Sequence, residues 1–293
     1  MRQVGSRSKL EPAGLQEYWS SVSDRHLMEA DDGLSVICYA GMPAWFNRFY
    51  DKYQRKAFEG LLRGEDLRGK RVLDIGTGVG RWAAWYAGEP DNTVVGIDIE
   101  SQRLRLARRL NPGVQFLEMP MHDLAFPDES FDIVNSVTVL QHVDHETKRA
   151  AIAEFNRVLR PGGRVVLFEL TSVSDDAPHV YPWEQSTWEA EFSNQGLRVR
   201  RTTGNQYTPI LRLLKSAYTL THGSKSRTGI DSMKSGTPET RRLLLALRLA
   251  VLASYPVEEV VRFLPKRFGQ ITGFLLTKPD APAPLGRHDD SRE

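Results

Sequence analysis

Val72-Leu73-Asp74-Ile75-Gly76-Thr77-Gly78-Val79-Gly80-Arg81 is the stretch from which the rest of this chain can be read. A short run of mostly apolar residues is the pattern of a buried strand, and from Arg81 to Ala87 the pattern turns helical. Between them stand three glycines. Glycine lets the backbone take positive φ and approach a ligand where a Cβ would collide. Dinucleotide enzymes also place a glycine-rich turn between strand and helix, so the turn alone is weak evidence. Two details point elsewhere. The spacing is Gly-x-Gly-x-Gly, with Arg81 where the dinucleotide pattern has its last glycine. Asp74 also precedes the glycines, and a carboxylate there repels a pyrophosphate but suits a ligand carrying an ammonium group.

Downstream the rhythm repeats. Thr93 to Ile97, Val114 to Glu118, Phe131 to Ser136 and Arg164 to Leu170 read as strands. Gln102 to Leu110 and His145 to Leu159 read as helices, the second stopped by Arg160-Pro161-Gly162-Gly163. Parallel strands cannot be joined by a tight turn, so alternating strands and helices predict a parallel sheet. Asp98 closes the second strand, eighteen residues past Gly80. A carboxylate at that place accepts hydrogen bonds from both hydroxyls of an adenosine ribose; the other reading is a cap for the helix beginning near Ser101. After Leu170 come a short helix, Trp188 to Asn194, and a strand, Leu197 to Thr202. A mostly helical insert at about 205–268 follows, then a last strand, Gln270 to Thr277.

Composition fits one soluble globular protein with additions. The chain has 293 residues, 40% hydrophobic and 26% charged, which excludes disorder over most of its length. Its one cysteine, Cys38, excludes a disulfide framework and fits a reducing compartment. No secretory signal or membrane span is read, which predicts a cytoplasmic protein. Net charge is +2, but residues 1–196 carry 22 Lys and Arg against 29 acids, and residues 197–278 carry 15 against 4. The basic third reads either as a solvated helical face or as a surface for something anionic. No nucleic-acid reader module accompanies that charge. The histidines lack paired ligand spacing, so no metal site is expected.

The run Val72 to Gly80, the strand Val94 to Asp98, and Phe126-Pro127-Asp128-Glu129-Ser130-Phe131-Asp132-Ile133-Val134 resemble the class I S-adenosylmethionine-dependent methyltransferases. Leu140-Gln141-His142-Val143 and Arg157-Val158-Leu159-Arg160-Pro161-Gly162-Gly163 are similar to that family's last blocks. The five blocks stand in the family's order within residues 70–170. The resemblance implies a seven-stranded α/β Rossmann-like sheet with an antiparallel last strand. It divides the chain into an N-terminal helical cap (1–60), a methyltransferase domain (61–278) with a helical lid insert (205–268), and a disordered tail (279–293). S-adenosyl-L-methionine is the implied cofactor. Asp74, Gly76, Thr77, Gly78 and Gly80 would face its methionine part, with Ser136 and Val137 bordering it. Asp98 would hold the ribose and Ile99 would pack on adenine. Many relatives have Gly-Asp-Ala where this chain has Met119-Pro120-Met121, so adenine recognition would fall to the Met121 N–H, His122 or Asp123.

A sulfonium methyl is already activated, and the protein's task is to align the acceptor and exclude water. Where the acceptor is a hydroxyl, a base is needed. His142 is the candidate and His145 the second choice, with a packing or helix-start role as the other reading of His142. Glu169, at the end of the fifth strand, is read either as a member of the binding rim or as a solvated strand end. The N-terminal aromatics, Tyr18, Trp19, Tyr39, Trp45, Phe46, Phe49, Tyr50 and Tyr53, read as core or as a pocket wall. The expected reaction is O-methylation of a small or amphipathic metabolite in natural-product biosynthesis. The alternatives are a lipid-linked or glycan acceptor at a membrane surface, where the leucines and arginines of the insert would dock, and a cofactor-binding scaffold without catalysis. The oligomeric state is not legible.

Overall fold

The structure is a computed structural model that describes residues 9, 14, 17–21, 33–34, 38, 44–171, 179–205, 245–246, 248–249, 252–253 and 270–280. The lid expected at 205–268, most of the cap before residue 44, and the tail beyond residue 280 lie outside the described residues, isolated positions apart. The elements are α1 (Ala44–Leu61), β1 (Arg71–Ile75), α2 (Arg81–Ala87), β2 (Thr93–Asp98), α3 (Ser101–Leu110), β3 (Gln115–Glu118), β4 (Phe131–Val137), α4 (His145–Val158), β5 (Leu159–Leu170), α5 (Gln185–Asn194), β6 (Arg198–Asn205) and β7 (Ile271–Thr277).

The strands form one sheet in the order β3-β2-β1-β4-β5-β7-β6. β1 to β5 run parallel, and β7 lies antiparallel between β5 and β6. Helices cover both faces, which is why the strands read as near-continuous apolar runs. Neighbouring residues divide between the two faces as the strand period requires. Leu73, Val165, Leu167 and Phe274 pack with Ile152 and Phe155 of α4 and Trp188 and Phe192 of α5. Val72, Val166, Phe168 and Leu275 pack on the other face with Phe58 of α1, Tyr86 of α2 and Leu104 of α3. Gly273 leaves room for the Phe168 ring, which a Cβ there would meet at 2.5 Å.

Most element ends fall within a residue or two of the sequence reading. Helix α5 starts three residues earlier than read and β6 ends three residues later, and the largest departure is at Arg160-Pro161-Gly162-Gly163. It reads as a stop before a strand at Arg164, yet β5 begins at Leu159. The Gly162 N–H donates to the Lys278 carbonyl at 3.0 Å, and the Lys278 N–H donates to the Gly163 carbonyl at 3.2 Å. Pairing with chain more than a hundred residues away holds the segment extended against its local preference, and β5 shifts register against β4 here.

The strand order reverses between β1 and β4, which are direct neighbours while β2 and β5 continue outward on either side. Open α/β sheets bind ligands outside the carboxyl ends of the strands at such a point. Both the glycine turn after β1 and the segment after β4 open there.

Candidate active site

Gly76, Gly78 and Gly80 all take positive φ, at 61°, 57° and 84°. At Gly76 space adds a second demand, because a Cβ would lie 2.4 Å from the Val139 side chain. Asp74 organises this loop from beneath. Its carboxylate accepts from Thr77 Oγ1 at 2.6 Å, the Ala83 N–H at 3.0 Å and Asn135 Nδ2 at 2.7 Å. Loop, helix α2 and strand β4 are thereby tied to one buried group. Burial pushes its pKa up to about 6, against the pull of those hydrogen bonds. Sequence reading has Asp74 and Gly80 facing the ligand. The structure puts both outside the cavity wall, while Gly76, Thr77 and Gly78 form part of it.

Asp98 does reach the cavity. Its Oδ2 accepts from the Gly78 N–H at 2.8 Å and its Oδ1 from the Glu100 N–H at 2.9 Å. Burial raises its pKa and the nearby Arg103 opposes the rise. The helix-cap reading of Asp98 gives way to Glu100, whose carboxylate accepts from the Gln102 and Arg103 N–H groups. Ile99 is 40% exposed beside it, and Met121 and Val137 complete this end of the wall. Ser136 lies fully buried, outside the wall, its Oγ without a partner among the described residues. His122 and Asp123 are exposed and outside the wall.

His142 lines the cavity, with both ring nitrogens engaged. Nδ1 lies 3.0 Å from the His179 carbonyl, which only accepts, so the network assigns the proton to Nδ1. Nε2 then accepts from Gln141 Nε2 at 3.0 Å, while Gln141 Oε1 takes the Leu170 N–H at 3.2 Å. Burial pushes the His142 pKa down to about 3. A general base needs a free lone pair and a pKa near the working pH; in this arrangement His142 has neither. His145 starts helix α4 and stacks on Trp183 at 5.6 Å, outside the cavity wall. Its pKa is lowered chiefly by burial, then by Lys148 and Arg149.

Glu169 is neither a solvated strand end nor part of the cavity wall. It is fully buried, and its carboxylate accepts the N–H groups of Val139, Leu140 and Gln141 at 2.9–3.0 Å. It anchors the turn that carries Gln141 and His142. Burial raises its pKa to about 7. Lys148, buried beneath Trp183 and Trp188, donates to the Tyr181 carbonyl, and the Tyr181 N–H donates to the Gln141 carbonyl.

Among the cavity residues that escape the sequence reading are Arg81, Arg103 and His179. Arg103 had a signal. It shares with Leu106 and Ala107 the i, i+3, i+4 face that helix α3 buries, a cation on an apolar stripe. His179, distant in sequence from every motif, had none.

The cavity these residues enclose measures about 490 Å³, within the range of pockets that hold small molecules, ~300–1,000 Å³. Among the described residues no group of three His, Cys, Asp or Glu is placed to hold a metal ion. No helix among them is long and apolar enough to cross a membrane.

Residues 72–163 match the family described as methyltransferase domain. The chain is 39% identical over 117 residues to the O-methyltransferase cnsE of Penicillium expansum, covering 38% of this chain and 42% of that one. It is 36% identical over 134 residues to the ubiquinone/menaquinone biosynthesis C-methyltransferase UbiE of Bordetella avium, covering 44% and 51%. The chain thus spans about half the length of the curated relatives it matches. Phosphoethanolamine N-methyltransferase 2 of Haemonchus contortus, solved with S-adenosyl-L-methionine, shares the fold. Its TM-score is 0.54 at 18% identity, over 89% of this chain and 60% of that one.

Proposed function

We propose that residues 72–163, which match the methyltransferase domain family, form a class I S-adenosylmethionine-dependent methyltransferase domain, and that the protein methylates a hydroxyl of a small or amphipathic metabolite. The residues present fit the cofactor. The glycine loop offers a surface stripped of Cβ atoms, Asp98 stands in the wall where a ribose needs an acceptor, and Ile99 and Met121 supply an apolar slot for a base. When bound, S-adenosylmethionine would supply an activated sulfonium methyl for transfer to the acceptor.

The observation that carries the reading is continuity. Gly76, Gly78 and Asp98 line the same cavity as Trp19, His142 and His179, so one space can take both reactants. The residues of that space orient the acceptor and keep water out, which is most of what such a transfer asks of a protein. The similarity to an O-methyltransferase supports oxygen as the receiving atom. In this reading the enzyme works in the cytoplasm and modifies a natural product.

A second reading has its own observation. Leu245, Leu249 and Leu252 stand at helical spacing and are each more than half exposed, with Arg248 between them. Exposed leucines beside arginine suit contact with a membrane surface, from which a lipid-linked or glycan acceptor would be reached. The similarity to a quinone C-methyltransferase supports an apolar acceptor.

Transfer from labelled S-adenosylmethionine into a cell extract, split into aqueous and organic phases, tests both. Label in small aqueous species supports the metabolite reading, and label in the organic phase supports the second. Absence of S-adenosylmethionine binding by calorimetry removes both.

A further inference from the structure

The turn between β4 and α4 points four consecutive N–H groups at the end of one neighbouring strand. That of Thr138 donates to the Phe168 carbonyl at 2.7 Å. Those of Val139 and Leu140 donate to Glu169 Oε1 at 3.0 and 2.9 Å, and that of Gln141 donates to Oε2 at 2.9 Å. Two successive residues of β5 thus hold the turn against its local preference. Thr138 takes φ 59°, and a β-branched residue in the left-handed region is a steric outlier. Such a conformation persists where the surroundings over-determine it, and it clusters at functional sites.

With its N–H groups spent on β5, the turn gives Thr138, Val139, Gln141 and His142 to the cavity wall. Val139 also presses on the glycine loop. A Cβ at Gly76 would meet Val139 Cγ2 at 2.4 Å and Cγ1 at 2.5 Å. Contact therefore runs unbroken from the Glu169 carboxylate through the Val139 N–H and side chain to Gly76. Glu169 itself is fully buried and outside the wall. Thr272 of β7 lies opposite it in the ladder, and Lys148 of α4 is the charge that faces it, with Asp144 and Lys9 beside that lysine.

We infer that Glu169 is a positioning residue for the methyl donor, acting through Val139 on the glycine loop. The inference rests on the methyltransferase reading and adds to it a residue outside the cavity on which donor affinity depends. An ionised carboxylate is acceptor-only and holds all three N–H groups. A protonated acid or an amide turns one end into a donor, releases at least one of the three, and leaves the loop without its backing.

Calorimetric titration of the full chain with S-adenosylmethionine tests this. Glu169→Gln, close to isosteric, should weaken binding at least tenfold. Val139→Ala, which leaves the backbone bonds to Glu169 in place, should weaken it about threefold or more. The two act in series, so the double variant should bind within about twofold of the weaker single variant. Losses that multiply in the double variant, or Glu169→Gln within threefold of the parent, overturn the inference. The pH profile separates positioning from mere support of the fold. Burial raises the Glu169 pKa against the pull of the N–H groups and Lys148. Lowering the pH from about 8 to about 6 should therefore protonate Glu169 in the parent and narrow its advantage over either variant, by up to about tenfold per unit. Comparison with a variant cancels the ligand's own titration, and Val139→Ala alone suffices should Glu169→Gln misfold. An advantage that stays constant with pH overturns the inference. Absence of binding by the parent at about pH 8 removes the methyltransferase reading itself, and the inference with it.

Discussion

The guanidinium of Arg81 meets the carboxylate of Asp51 at 3.0 Å, joining helix α1 to the first residue of α2 directly after the glycine loop. The same guanidinium donates to Gln54 Oε1, points an N–H at Cys38 Sγ at 3.7 Å, and covers the Trp82 ring at 4.4 Å. Arg81 thus occupies the last glycine position of a dinucleotide turn and serves as a latch between the N-terminal segment and the loop. Tyr50, on the latched helix, lines the cavity.

Breaking this latch should loosen the cover over the cavity. Arg81→Met leaves Asp51 its ion pair with Arg55 at 2.9 Å. The loss of hydrogen bonds to buried acceptors should cost about 1–3 kcal/mol of stability. Thermal unfolding reads the cost, and S-adenosylmethionine affinity should fall with it. An unchanged melting temperature argues that the pair is idle.

Asp98→Ala removes the carboxylate proposed to accept from the ribose and frees the Gly78 and Glu100 N–H groups. Hydrogen bonds to a charged group are worth about 1.5–3 kcal/mol each, so S-adenosylmethionine affinity should drop at least tenfold, at about 1.4 kcal/mol per decade. Calorimetric titration measures this. Affinity within threefold of the parent would place the ribose elsewhere.

His142 sets a pH signature. Its folded pKa of about 3 lies below the ordinary 6.5. Between those values the unfolded chain binds a proton that the folded chain refuses, so this group's contribution is full above pH 6.5 and is lost as pH falls toward 3. Imidazole nuclear magnetic resonance from pH 5 to 8 should show the His142 ring neutral throughout, with its proton on Nδ1. His142→Asn should flatten the acid limb of stability by up to about one proton. A His142 midpoint near 6.5 would restore its candidacy as a base.

Gly76→Ala forces an alanine to φ 61° and sets its Cβ 2.4 Å from the Val139 side chain. The left-handed conformation alone costs about 1–2 kcal/mol, and the collision adds to it. S-adenosylmethionine binding should be lost or severely weakened. Adding Val139→Ala removes the two nearest methyl groups and should recover part of the affinity, leaving the conformational cost. No recovery would mean that the loop fails through φ alone.

Some of the candidate site was legible and some was not, and particular residues show where the line falls. Gly76, Gly78 and Asp98 line the cavity because strand, glycine turn and strand end are local patterns that place them at one edge of the sheet. Asp74 and Asp98 look alike in sequence, each a carboxylate at the carboxyl half of a parallel strand. The structure separates them: Asn135, sixty-one residues away, draws Asp74 under the loop, while Asp98 keeps its place in the wall. His142 looked like a base because a histidine after the fourth strand is chemically suited to that work. Its engagement depends on the His179 carbonyl, thirty-seven residues on.

By itself, then, the sequence determined the succession of strands and helices, the parallel sheet, the glycine turn and the acidic residue closing β2. Each follows from apolar runs, helical period or backbone freedom over a few neighbouring residues. Tertiary structure decided which polar groups are spent on the fold and which face the cavity. It holds Arg160 to Gly163 in a strand, turns Glu169 inward to anchor a loop, latches Arg81 to Asp51, and sets Arg103 against Trp19. The reason is physical: a buried lone pair or charge takes whatever partner folding brings within about 3 Å, and those partners lie far away along the chain.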